Sequence, residues 1–158
     1  MTKEEIQDYT LKITQASRTE IIVILYDLAQ KYLRDARDAF SAGNREEYRK
    51  NCLNAQKVVQ DLIGALDFNY ALAAGLYRIY EYIGREISMS VIKNDPDKLL
   101  AVMKYLGALK ESFEKVAKED KSGPAMGNAQ AVYTGLTYGR GRLMDSLTIE
   151  SSNRGFKA

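Results

Sequence analysis

The sequence predicts an all-α protein: an antiparallel, up-down four-helix bundle with an N-terminal cap segment and a glycine-rich C-terminal extension. Three observations predict it. Apolar residues recur every three or four positions through successive long stretches. The stretches are joined by turns of a few residues, which favours antiparallel neighbours. No alternating apolar pattern that would mark a strand occurs before residue 118. The chain thus divides into a cap segment (1–16), a bundle (17–118) and an irregular extension (119–158).

The first bundle helix starts at Ser17, which with Glu20 makes a capping-box signature, and runs from Arg18 to about Phe40, where Ala42-Gly43 stops it. Asn44 with Glu47 repeats the start signal. The second helix follows to about Leu66, its apolar stripe being Tyr48, Cys52, Ala55, Val59, Leu62 and Leu66. The third runs from about Tyr70 to Lys93 on Leu72, Leu76, Ile79, Ile83 and Ile87. Asp95 is expected to cap the fourth helix with Pro96 at its first position, where a missing N–H costs nothing. Its stripe is Leu99, Val102, Leu106, Leu109, Phe113 and Val116. After Lys118 come Pro124 and six of the 11 glycines, which oppose regular structure. The extension nonetheless carries Val132, Tyr133, Leu136, Tyr138, Leu143, Met144 and Leu147, so a short helix over Asn128 to Leu136 and a plain flexible tail stand as alternatives.

Composition narrows the function classes. With 23 basic and 21 acidic residues the net charge is +2, and no basic face suggests nucleic-acid binding. The lone Cys52 cannot make an internal disulfide and reads as a small core filler, which points to a reducing compartment. The N-terminus has no signal-peptide pattern and no stretch has the length of a membrane span, so a cytoplasmic location is expected. Histidine is absent, which removes the commonest general base and the commonest metal ligand. No catalytic residue, metal or cofactor is expected, and a cofactor-dependent bundle enzyme is the weaker rival.

Two helices offer more apolar surface than one bundle requires. The first carries a core stripe (Ile21, Leu25, Leu28, Tyr32, Ala39) and a second stripe turned by roughly 90° (Ile22, Tyr26, Ala29, Leu33, Phe40). The third carries, beside its core stripe, Ala73, Tyr77, Tyr80, Gly84, Ser88 and Val91. Small residues admit a second helix and aromatic rings wall it in, the arrangement that receives an amphipathic helix in a groove. The 11 Tyr against 4 Phe suit a surface that is wet when empty. Ile22, Tyr26, Leu33, Phe40, Ala73, Tyr77, Tyr80, Gly84 and Val91 are therefore the candidate partner-binding groove. Cover by the chain's own ends remains the alternative, as does burial against a second copy, so a monomer and a weak homodimer both stay open.

Four blocks carry a family resemblance. Ala16-Ser17 through Ile24-Leu25-Tyr26-Asp27, residues 51–67, Leu76 through Ile83, and Ile92 through Asp95 resemble, in order and spacing, the FliS-type flagellar export chaperones. The likeness spans roughly residues 9–118, with Arg18 where the family usually has Pro and Leu28 where it commonly has Gly. It implies a bundle that binds the C-terminal segment of flagellin in apolar grooves, prevents premature polymerisation and presents the client to the type III export gate. Other flagellar regulators are further implied partners. It also implies a displaceable N-terminal cap, on which Tyr9 and Ile13 would stand, and a client-facing Tyr26, so that Tyr26→Asp is expected to impair binding while leaving the bundle helical.

Overall fold

The computed structural model describes residues 1–127, which form five α-helices and, among the described residues, no strand. The short helix expected over Asn128 to Leu136, and the extension as far as residue 158, lie outside the described residues. The helices are α1 (Lys3–Gln15), α2 (Arg18–Ser41), α3 (Arg45–Gly64), α4 (Ala71–Lys93) and α5 (Lys98–Glu119).

The caps explain most of the boundaries. The Ser17 hydroxyl accepts from the Glu20 amide at 3.3 Å while the Glu20 carboxylate accepts from the Ser17 amide at 2.7 Å, closing the expected box. Asn44 Oδ1 accepts from the Glu47 amide at 3.1 Å. Between them Gly43 turns the chain at φ 77°, a left-handed conformation that a side chain would strain. Asn94 ends α4 in the same region at φ 55°, tolerated because Asn is the non-glycine residue best suited to it.

The segment 1–16 holds a helix beyond the four expected, Lys3–Gln15, opened by a capping box between Thr2 and Glu5. One expectation is corrected here: Asp95 does not cap the last helix. Its carboxylate accepts from the Asp97 amide at 3.1 Å and its own amide closes the end of α4 on the Ser90 carbonyl at 2.9 Å. One tight turn then intervenes, in which Pro96 accepts from Leu99 at 3.1 Å, and α5 begins at Lys98.

Helix α2 packs closely on α3 and on α5, α4 packs more thinly on the same two, and α1 lies along α2. Partner residues run in opposite order along neighbouring helices. Thr19 meets Asp120, Tyr26 meets Phe113 and Gln30 meets Met103 between α2 and α5. Between α3 and α4, Tyr48 meets Ser90 and Gln56 meets Ser88 and Gly84. The interior holds Leu25, Leu33, Val59, Leu62, Ile83, Ile87, Leu99, Val102 and Leu106, each contributing on the order of 1.5–3 kcal/mol of burial. Buried hydroxyls are paired: Ser90 Oγ donates to the Asp95 carbonyl at 2.7 Å, which leaves its lone pair for the Tyr48 hydroxyl at 2.6 Å.

The second stripe of the first bundle helix is also corrected. Tyr26, Ala29 and Leu33 are each 0% exposed. Helix α2 packs closely on both α3 and α5, and Tyr26 reaches Tyr80 of α4 and Phe113 of α5, so a wide arc of α2 is covered. The chain itself buries the stripe.

Candidate binding groove

Exposed apolar residues occur on α1 and α5 as well, but Phe68, Tyr70, Leu72, Tyr82 and Ile92 gather on and beside α4, whose neighbours pack thinly. Between α3 and α4 runs a groove of about 500 Å³. Its α3 wall is Leu53, Gln56, Lys57, Gln60 and Ile63, and its α4 wall is Tyr77, Tyr80, Glu81, Gly84, Arg85 and Ser88. Leu53 is 52% exposed, an apolar side chain standing at the lip. Tyr80, 1% exposed, closes the floor, and its hydroxyl is hydrogen-bonded inside the protein to that of Tyr26. Tyr77 stands at the wall with its hydroxyl donating to Glu81 at 2.9 Å.

Gly84 is what keeps the groove open. A Cβ placed there would meet nothing within 4 Å, so the space above it belongs to the groove and not to the core. Gln56 ties the two walls: its side-chain amide donates to Ser88 Oγ at 2.5 Å and to the Gly84 carbonyl at 3.4 Å, and Ser88 Oγ donates to the same carbonyl at 3.1 Å. Lys57, Arg85 and Glu81 form a rim of mixed sign, so charge alone selects no partner here. Apolar side chains (Leu53, Ile63, Tyr77, Tyr80) and uncharged polar ones (Gln56, Gln60, Ser88) line it together beneath that rim. The thiol of Cys52, 0% exposed, is pushed up to about 11 by burial, as suits a core filler. Among the described residues no group of three or more His, Cys, Asp or Glu is placed to hold a metal.

Of the residues expected at the site, Tyr77, Tyr80 and Gly84 come together in this groove. Ala73 is buried lower on the same helix, and Val91 packs half-buried against the core beyond the groove's end. Those on α2 are elsewhere. Tyr26 and Leu33 are fully interior, and Ile22 and Phe40 are half-buried against the core, Phe40 edge-on to Tyr48 and under the Arg45 guanidinium at 3.7 Å. Aspartate at position 26 would therefore attack the core, not only a binding surface, which corrects the outcome expected for Tyr26→Asp.

The α3 wall escaped the sequence reading. Its signal was Leu53 and Ile63, apolar residues off the Tyr48-to-Leu66 stripe and joined through Gln56 and Gln60 at helical spacing.

Tyr9 and Ile13 sit on α1. Ile13 is 2% exposed and the Tyr9 hydroxyl donates to Asp27 on α2 at 2.5 Å. Lys110 of α5 binds the other oxygen of Asp27 at 2.6 Å. Burial opposes ionisation of Asp27, but these two hydrogen bonds outweigh it and hold the carboxyl below its ordinary value. No residue of α1 lines the α3–α4 groove.

Residues 2–120 match the model of a protein family described as "Flagellar protein FliS". The chain is 26% identical over 109 residues to the flagellar secretion chaperone FliS of Bacillus subtilis (strain 168), covering 69% of this chain and 82% of that one.

Proposed function

Because the chain belongs to the FliS family, whose members are flagellar export chaperones and not enzymes, we propose that it binds the C-terminal segment of flagellin in the α3–α4 groove. There it keeps the client from polymerising early and aids its delivery to the flagellar type III export apparatus. In this reading α2 to α5 act as one antiparallel four-helix bundle in the cytoplasm. No described helix is long and apolar enough to cross a membrane, which accords with that location. The export gate and other flagellar regulators are further partners of this reading.

The observation that carries the proposal is the groove itself, with Leu53 exposed, Tyr77 walling it and Gly84 holding it open. Capture is hydrophobic. A client segment folding into such a site buries on the order of 1,000 Å² or more, offset by several kcal/mol of ordering cost. With a rim of mixed charge, affinity depends weakly on salt. Helix α1, tied to α2 and α5 through Tyr9, Asp27 and Ile13, is a displaceable cap in this scheme, and its release opens a second surface to the client.

Calorimetry with the flagellin C-terminal segment tests the groove. Leu53→Asp is expected to weaken binding about tenfold with helix content retained, and Gly84→Leu to abolish it by filling the site with an unfolding midpoint no lower than the parent's. Full affinity in both variants would remove the client from this groove.

Self-association is a second reading, favoured by the exposed edge-on pair Tyr82 and Tyr105, ring centroids 5.6 Å apart, on the α4–α5 flank. Tyr105→Glu would then lower the mass measured in concentration-dependent sedimentation; a constant monomer mass in the parent chain disposes of it.

A further inference from the structure

The α3–α4 groove is covered by no described residue, yet the chain carries a segment suited to it. From Ser122 to Gly139 there is not one charged residue, in a protein whose charged content is 28%. A segment selected to stay solvated is charge-rich and poor in aromatics. This one contains Val132, Tyr133, Leu136 and Tyr138.

The described part of the chain delivers that segment to the right end of the molecule. Past α5 the Asp120 carboxylate accepts from Thr19 at 2.8 Å, and the Ala125 amide donates to the Ala16 carbonyl at 2.9 Å, where α1 gives way to α2. Since partner residues run in opposite order along neighbouring helices, the start of α2 lies at the same end as the finish of α3 and the connection into α4. Three large apolar residues are exposed on that connection and the first turn of α4: Phe68 (63%), Tyr70 (71%) and Leu72 (66%). Phe68 packs edge-on against Tyr77, the groove wall, at 6.0 Å. An apolar track thus joins the end where the described chain stops to the groove. The reach suffices: the stretch from Gly127 to Gly139 spans about 40 Å when extended, and α4, with 23 residues, is about 35 Å long.

We propose that the chain's own segment from Asn128 to Gly139 docks in the α3–α4 groove, its apolar side chains over Leu53, Tyr77 and Gly84. This inference goes beyond flagellin binding and does not require it. If both hold, the client must displace the segment, and the exposed Leu53 lip is then covered whenever no client is bound.

The chain has no tryptophan, so Tyr133→Trp in the full-length protein installs a single reporter. Docking predicts a blue-shifted emission and a quenching constant for acrylamide several-fold below that of free tryptophan. Adding Gly84→Leu, which fills the groove from a position where a side chain meets nothing, is expected to return both to solvent values. Solvent-like emission in the single variant overturns the proposal, as does a blue shift that survives Gly84→Leu. A shift that grows with protein concentration assigns the groove to a second copy and overturns it too. A flagellin C-terminal peptide should release the reporter. If calorimetry shows that the peptide binds while the shielded emission stays unchanged and Gly84→Leu still exposes the reporter, docking stands and the client's place in this groove falls. If no peptide binds but Gly84→Leu still exposes the reporter, docking stands and the client reading falls.

Discussion

Tyr26 and Tyr80 show how much depends on single side chains in a protein this size. Their hydroxyls pair in the interior, and Tyr26 also lies edge-on to Phe113 with centroids 5.6 Å apart. Tyr26→Phe removes one partner and strands the Tyr80 hydroxyl, a loss of about 1–3 kcal/mol, whereas removing both hydroxyls costs less than the two single changes together. Urea unfolding of Tyr26→Phe, Tyr80→Phe and the double variant reads this directly; additive losses would mean that the pair does not interact. Asp61 is the opposite case. One of its oxygens is buried without a partner among the described residues, and burial pushes its carboxyl up to about 6. The folded state therefore holds a proton that the unfolded chain releases near its ordinary value of 3.8. Between those two values, rising pH favours the unfolded chain, so this residue costs stability at neutral pH and nothing in acid. Asp61→Asn is expected to raise the unfolding free energy at pH 7 by about 1–3 kcal/mol and to flatten its decline across that interval. A loss of stability instead would reveal a partner for the carboxylate.

At the scale of the helix, α4 can be strengthened without touching the core. Gly75 and Gly84 lie within it, and an added Cβ at either meets nothing within 4 Å. Each Gly→Ala change should therefore stabilise by about 0.5–1 kcal/mol through helix propensity alone. Gly107 on α5 is the control, because a Cβ there meets Gln30 Nε2 at 3.0 Å, and that amide donates to the Met103 carbonyl across the α2–α5 contact. Gly107→Ala should gain less or lose. Equal gains at all three positions in denaturant titrations would show that packing around Gly107 is looser than this. The helices that hold these glycines were legible from periodicity and caps: Ser17 with Glu20 and Asn44 with Glu47 set two starts where the structure has them. Helix α1 carries the same signature in Thr2 and Glu5 and helical spacing in Ile6, Tyr9 and Ile13, and its contacts with α2 hold it in place. Asp95-Pro96 misled because an Asp before Pro serves a tight turn as well as it serves a cap.

Across the whole molecule, periodicity revealed which helix faces are apolar but not how many neighbours each would meet. That is why Tyr77, Tyr80 and Gly84 were found at the groove while Tyr26 and Leu33 were placed on a surface they do not have. Helix α4 keeps open flanks because its neighbours pack thinly; α2 packs closely on α3 and α5, meets α4 through Tyr26, and carries α1 only lightly along one side. The same arrangement makes α1 the separable part. Its polar ties to the rest are the Tyr9–Asp27 hydrogen bond, Lys31 to Glu5 at 3.4 Å and the N-terminal amine to Asp35 at 3.3 Å, with Ile13 as its fully buried aliphatic anchor. Asp27 joins α1, α2 and α5, so Asp27→Asn should loosen α1 while α2 to α5 persist. In hydrogen exchange at neutral pH its amides are expected to exchange several-fold faster than in the parent chain, with those of Leu33, Ile83 and Leu106 unchanged. Added salt should act in the same direction on α1 and hardly at all on the apolar interior. Acid should too: because hydrogen bonding holds Asp27 below its ordinary value, the tie is intact above about pH 4 and is lost as pH falls further. Cleavage by pepsin within residues 3–15 ahead of any other site reports that release. If α1 and the buried helices instead exchange and cleave together, α1 is an integral fifth member of the fold and no client can lift it away.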